Sequence, residues 1–299
     1  MAQQIPAQDA LRAENTHDDQ IRDDGTNEIA PDLAYKRLAI ANVVFYGAPN
    51  AGDGNWVLID AGVMKTAGLI ISAAEERFGK GARPAAIILT HGHFDHVGAL
   101  EDLAEKWNVP IYAHPLEAPY LTGTAAYPPP DPTVGGGMMA LLSPLYPRSP
   151  IDVSHYLQLL PDDGSVPHMP GWKWVHAPGH TPGQVAFWRE SDRALIAADA
   201  FITTAQESAY AVAVQKPELH GPPMYFTQNF EQAKTSVETL AALEPELVIT
   251  GHGPALLGSE MRAALHALAD NFDEVAVPDH GKYVAHPTDA QSGTAYDMK

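Results

Sequence analysis

Residues 91–98 read HGHFDHVG, placing His91, His93, Asp95 and His96 within six positions directly after the apolar run AAIILT. Imidazole and carboxylate are the donors that bind zinc, iron or manganese. Three histidines this close repel one another on protonation unless something compensates the charge. If the preceding run is a buried strand, His91 and His93 point to the same side of the extended chain and converge on one ion. Asp95 and His96, in the turn that follows, then aim at a neighbouring position. A solvated, histidine-rich turn is the bland alternative, and four ligand-type residues at one strand end argue against it. Three further stretches share the context. APGHTPG (177–183) carries His180, IAADAF (196–201) carries Asp199, and TGHGP (250–254) carries His252. Singly these are a turn histidine, a capping aspartate and a Gly-flanked loop. Together each follows an apolar strand pattern, at the carboxyl end where α/β sheets place ligands.

The elements that must hold these residues can be read from periodicity. RLAIANVVFYG (37–47) and NWVLIDAG (55–62) have strand patterns joined by a Gly/Asn-rich turn. VMKTAGLIISAAEERFGK (63–80) has helical apolar spacing and ends before Gly81. A buried strand is expected over 84–90, a helix over 97–107 and a short strand over 109–114. After residue 154, YLQLL, WKWVHAP, QVAFWRE and ALIAAD predict four short strands. A helix over 229–245, a strand over 246–251, a helix over about 259–275 and a polar tail complete the chain. This alternation predicts an α/β protein. Residues 1–35 are expected to be an acidic arm, since residues 1–33 hold eight Asp or Glu against Arg12 and Arg22. Residues 36–299 are expected to be a single domain. Within it, 115–154 is an insertion rich in Pro, Gly and Met that is expected to shape a pocket or a dimer contact.

Composition narrows the partners. The 299 residues hold 18 Lys and Arg against 37 Asp and Glu, a formal charge of -19. That field disfavours nucleic acid and anionic lipid. The absence of cysteine excludes disulfides, thiolate ligands and thiol catalysis. No basic-then-apolar leader pattern opens the sequence, and no apolar stretch reaches the roughly 18 residues of a membrane helix. A cytoplasmic protein with a small-molecule substrate is the expectation, with a homodimer as an option.

The order HxHxDH, then a histidine in a Gly/Pro turn, then an aspartate, then GHG resembles the metallo-β-lactamase superfamily. The VLIDAG strand with Asp60 is similar to that superfamily's usual opening, and the resemblance spans residues 36 to 275. It implies a four-layer αβ/βα sandwich, two mixed β-sheets flanked by helices, with two divalent metal ions in the groove between the sheets. On this resemblance His91, His93 and His180 hold one ion; Asp95, His96 and His252 hold the other; and Asp199 bridges them. Zinc is the first expectation, and iron or manganese suits the same donors.

Two such ions generate a bridging hydroxide at neutral pH, with Asp95 placed to orient it and move its proton. Asp60 is expected to support a ligand or loop, or simply to cap a turn. Departures from family patterns narrow the reaction. The resemblance sets true β-lactamases apart, because they lack a bridging aspartate. It also sets apart oxygen-reducing flavodiiron members, which need a flavodoxin domain, and persulfide dioxygenases, which use one iron. Nucleases suit a cationic surface. Ester-type hydrolysis remains, of a lactone or related carboxylic ester. A glyoxalase II-like thioesterase is the alternative, with a phosphodiesterase or iron-dependent redox enzyme behind it. Acyl-homoserine lactonases carry a tyrosine soon after the bridging aspartate; here Ala200, Phe201, Ile202 and Thr203 follow, so Tyr210 is the candidate replacement. Glyoxalase II members carry basic C-terminal residues that this chain lacks. Met138, Met139 and Tyr146 are read as pocket wall, core or dimer contact. His220 is a candidate substrate contact, and His114 and His176 are read as structural.

Overall fold

The computed structural model describes residues 25–204 and 218–298. The chain order is β1 (Asn27–Ala30), β2 (Leu33–Leu38), β3 (Ala41–Tyr46), β4 (Val57–Ile59), α1 (Ala67–Phe78), β5 (Ala86–Ile88), α2 (Phe94–Val97), α3 (Leu100–Trp107) and β6 (Ile111–Ala113). Then come α4 (Ala118–Leu121), β7 (Ala125–Ala126), α5 (Gly137–Leu142), β8 (Leu157–Leu159), β9 (Trp172–His176), β10 (Val185–Arg189) and β11 (Ala194–Ala198). The last elements are α6 (Phe230–Ala241), β12 (Leu247–Thr250), β13 (Leu256–Leu257), α7 (Gly258–Asp270), α8 (Phe272–Val275), α9 (Lys282–Ala285) and β14 (Asp297–Met298). One mixed sheet runs β1-β2-β3-β4-β5-β6-β8 and a second runs β13-β12-β11-β10-β9. In the first, β4, β5, β6 and β8 are parallel; in the second, β11 and β12 are.

Strand residues alternate between two cores, which is why the central strands are apolar at nearly every position. Val44, Val57, Ile59, Ile88, Val185, Phe187, Ile196 and Ile249 meet between the two sheets. Their neighbours Phe45, Leu58 and Ile87 face α1 and α3 instead, packing on Ile70, Phe78, Leu103 and Trp107. On the far side Ala186, Leu195, Ala197 and Val248 pack on Val237, Leu240, Leu265 and Leu268 of α6 and α7. The layers are therefore helix, sheet, sheet, helix: the αβ/βα sandwich expected. Elements stop where local chemistry stops them. α1 gives way to Gly79 at φ 113°, and α3 ends on Asn108 in the left-handed region at φ 50°.

Three expectations need correction. Residues 27–35 are not arm: they form β1 and the start of β2, because Leu33, Ala34 and Tyr35 bury their side chains. The acidic residues there are paired, Glu28 with the buried Arg77 at 2.7 Å and Asp32 with Arg189 at 2.5 Å. Charge content alone hid those pairs; residues 1–24 lie outside the described residues. The single strand expected over 37–47 is a hairpin, broken where Ala39 takes φ 59°. The insertion 115–154 contains α4, β7 and α5. The polar tail after 275 docks: β14 pairs with β7, Ala295 accepts a hydrogen bond from the Tyr120 hydroxyl, and Tyr283 is buried. Among the described residues, no helix is long and apolar enough to cross a membrane.

Candidate metal centre

The loops after β5, β9, β11 and β12 meet at one edge of the sandwich, and each brings its histidine or aspartate. His91, His93, Asp95, His96, His180, Asp199 and His252 are all buried. His91 Nε2 lies 3.1 Å from His93 Nδ1, which lies 2.9 Å from His180 Nε2. Asp199 Oδ2 is 2.9 Å from His252 Nε2 and 3.5 Å from His180 Nε2, while its Oδ1 is 3.6 Å from His96 Nε2. Asp95 Oδ2 is 3.5 Å from His252 Nε2. Three sets of donors come within 4.8 Å of one another: His91, His93 and His180; His91, His96 and Asp199; Asp95, His96 and His252. The aspartate between them touches both ends of the cluster.

The rings are held so that lone pairs face inward. The network assigns the tautomers. His96 Nδ1–H donates to Asp60 at 2.8 Å, and His252 Nδ1–H donates to the Ile40 carbonyl at 2.6 Å. The Thr90 hydroxyl donates to Asp60 at 2.7 Å, so its oxygen accepts from His91 Nδ1–H at 3.1 Å. The Thr227 hydroxyl donates to the Pro223 carbonyl, and its oxygen accepts from His180 Nδ1–H at 3.3 Å. Four histidines thus present Nε2 inward, and His93 presents Nδ1. Asp60 itself sits at φ 60° at the end of β4 and also accepts the Thr90 N–H at 2.8 Å, so it fixes two of the five rings.

Electrostatics agree with a cation-binding site. Burial pushes His91 and His93 well below the ordinary imidazole pKa, and it takes His180 to about 4. These rings therefore keep free lone pairs at neutral pH. Burial also opposes charge on His96 and His252, yet Asp199 and its neighbouring carboxylates raise both. Burial would lift Asp199, but His252 and His96 hold it well below the usual carboxylate range. Burial raises Asp95. Among the described residues the ion pairs of Asp60, Asp95 and Asp199 are all with histidines. The inward atoms His96 Nε2 and Asp199 Oδ1 are buried with no hydrogen-bond partner. A cluster rich in anions, unpaired lone pairs and inward acceptors fits divalent metal ions. Gly251 belongs to the same fit, since a Cβ there would fall 1.9 Å from Asp199 Oδ1.

The remaining sequence expectations are distributed as follows. Tyr210 lies outside the described residues. His220 faces Glu218 at 3.3 Å and exchanges backbone hydrogen bonds with Ile202. Met138 is more than half exposed on α5, whereas Met139 packs with Tyr146, Tyr225 and Phe226. Those aromatics form the wall over the cluster: Phe226 lies 5.0 Å from His93, and Tyr146 stacks on Phe94 at 5.4 Å. His114 and His176 stack on each other at 4.4 Å, and His176 donates to the Pro182 carbonyl, bracing the His180 loop.

Two residues outside every motif shape the site. Asn42 reaches across the sheets, its side chain donating to the Thr250 and Gly253 carbonyls and so clamping the His252 loop. Glu117 is fully buried beneath the His91–His93 and His180 loops, accepting from both. The available signal was a lone carboxylate in the apolar stretch HPLEAPYL.

Comparison with known proteins agrees with this geometry. The family model of the metallo-beta-lactamase superfamily matches residues 38–252. The chain is 49% identical over 238 residues to "Probable metallo-hydrolase YflN" of Bacillus subtilis (strain 168), covering 80% of this chain and 90% of that protein. It is 29% identical over 209 residues to "Probable metallo-hydrolase YybB" of the same organism, covering 70% and 80%. Among solved structures, a beta-lactamase domain protein from Burkholderia ambifaria shares the fold, with a TM-score of 0.57 at 19% identity over 87% of this chain and 80% of that one.

Proposed function

Because the chain belongs to the metallo-beta-lactamase superfamily, we propose that it is a dinuclear metal-dependent hydrolase of a small, neutral ester-type bond, a lactone or related carboxylic ester. His91, His93 and His180 would hold one ion, Asp95, His96 and His252 the other, with Asp199 touching both. When bound, such ions lower the pKa of coordinated water and polarise a carbonyl. The chain supplies the rest. Asp95, buried with its Oδ2 turned toward His252, would hold the ion with that oxygen, take up the proton released by the attacking water on its other carboxylate oxygen and return it to the leaving alcohol. Asp60 keeps His96 and, through Thr90, His91 in the tautomer that leaves Nε2 free. The aromatic wall excludes water from the reacting carbonyl and orients the acyl group.

The observation that carries the substrate class is the chemistry of that wall. The described residues clustered there are Val134, Met139, Ala140, Tyr146, Met224, Tyr225 and Phe226. These side chains offer an apolar and aromatic face, the kind of lining that suits a small acyl-bearing substrate. The name of the YflN relative, a probable metallo-hydrolase, supports the hydrolytic reading.

The test is an initial-rate comparison of lactones with S-acyl thioesters on metal-reconstituted protein, with Asp199→Asn as background. Lactone turnover abolished by the substitution is expected. A thioester preference would move the enzyme to the thioesterases. Turnover of neither class would overturn the ester reading and bring forward phosphodiesters and iron redox chemistry.

A further inference from the structure

Resting on the assignment of His91, His93 and His180 to one ion, we infer that Glu117 is the positioning residue that builds that half of the centre. It touches no ligand side chain. Its two carboxylate oxygens divide between the two loops that carry the three histidines. Oε2 accepts the N–H of Gly92, the residue between His91 and His93, at 2.9 Å, together with the Tyr127 hydroxyl. Oε1 accepts the N–H of Gly183 at 2.8 Å and the Thr181 hydroxyl at 2.9 Å, both just past His180. One loop leaves the first sheet after β5, and the other lies on the second sheet between β9 and β10. A single buried carboxylate therefore sets the distance between them.

The loops are shaped around this group. A Cβ at Gly183 would lie 2.8 Å from Glu117 Oε1 and Cγ, and one at Gly92 would lie 2.8 Å from the Tyr127 hydroxyl and 3.4 Å from Glu117 Oε2. The glycines of HGH and TPG are thus needed for close approach, Gly92 to Tyr127 and Gly183 to Glu117, rather than for turning the chain. Tyr127 extends the support. Its ring lies 4.3 Å from the His93 ring and stacks at 3.6 Å on Tyr120, whose hydroxyl donates to the Ala295 carbonyl. Glu117 has no Lys or Arg partner among the described ion pairs; four neutral donors stabilise it instead. A carboxylate with that donor count, buried at full desolvation cost, persists because all four of its acceptor positions are used. Among the described residues Glu117 makes no hydrogen bond to the Asp95–His96–His252 half, which Asp60, Asn42 and the Ile40 carbonyl hold.

Glu117→Gln keeps the size but turns one acceptor oxygen into a donor amide, which must face the N–H of Gly92 or of Gly183. One loop is then pushed away from the other. The experiment measures Zn2+ affinity by chelator competition in the wild type, Glu117→Gln and Tyr127→Phe, each with and without His252→Ala to isolate the first ion. Glu117→Gln is expected to weaken the ion retained in the His252→Ala background by about 10- to 100-fold, the usual size of an effect on the support of a metal ligand. Tyr127→Phe, which keeps the ring but removes the hydroxyl that donates to Glu117 and accepts the Gly92 N–H, is expected to weaken the same ion less. Unchanged affinity in both variants would overturn the inference. So would an equal loss at both sites, the signature of general destabilisation. If the wild-type protein itself binds no Zn2+, the two-ion reading fails, and this inference falls with it.

Discussion

Asp60→Asn is the most informative single substitution for the idea that ring tautomers, not only ligand identities, make the centre. Asp60 accepts three hydrogen bonds, from the Thr90 N–H at 2.8 Å, the Thr90 hydroxyl at 2.7 Å and His96 Nδ1–H at 2.8 Å. An asparagine can keep the first with its Oδ1. Its amide then faces both Thr90 Oγ1 and His96 Nδ1 as a donor. His96 must accept there and move its proton to Nε2, the atom aimed at Asp199 and needed for the ion. The lost hydrogen bond is one to a charged group, worth about 1.5–3 kcal/mol. At 1.36 kcal/mol per decade that is about a 10- to 100-fold loss of affinity for the ion at His96. Nitrogen-15 NMR of the metal-free variant, at a pH high enough for His96 to be neutral, should show its proton on Nε2 rather than Nδ1, and chelator competition should show the matching loss. Unchanged affinity for both ions, with the proton still on Nδ1, would refute the reasoning.

Two further outcomes concern the scaffold. Glu28→Ala should lower stability by about 1–3 kcal/mol, because buried Arg77 loses its carboxylate and keeps only a 3.3 Å contact with the Gly47 carbonyl; a chemical denaturation midpoint equal to wild type would contradict this. His114 has its pKa lowered to about 4 by burial and by the neighbouring His176. The unfolded chain then binds more protons than the folded one between about 6.5 and 4, so stability falls as pH drops through that window. His114→Asn, which preserves a side-chain acceptor for the Leu116 N–H, should make the decline of melting temperature with acid shallower; an unchanged slope would show that other groups govern it.

Much of the candidate centre is legible in the sequence because the donors a metal ion needs have few substitutes. Only imidazole and carboxylate supply these donors in a chain without cysteine, and their places after apolar runs mark strand ends. The two-sided apolar character of β4, β5, β10 and β12 likewise announces strands covered on both faces. What stays hidden is what depends on partners distant in sequence. The acidic residues Glu28 and Asp32 read as solvated until Arg77 and Arg189 are seen beneath them. Met138 and Met139 are equivalent in sequence, and only the direction of α5 exposes one and partly buries the other. The support groups are the least visible. Glu117 acts 25 residues away from Gly92 and 66 from Gly183, and Asn42 more than 200 from the loop it clamps. No local spacing encodes those contacts. The glycines of HGH and GHG look like turn formers, yet Gly92 and Gly251 are small because Tyr127, Glu117 and Asp199 occupy the space a side chain would take.

The most direct test of the two-ion centre is a crystal structure of the metal-reconstituted protein with anomalous data collected at the absorption edge of the bound metal. Two peaks are expected, one enclosed by His91, His93 and His180 and the other by Asp95, His96 and His252, with Asp199 contacting both. A single peak, or peaks outside these residues, would contradict a dinuclear hydrolase built on this cluster.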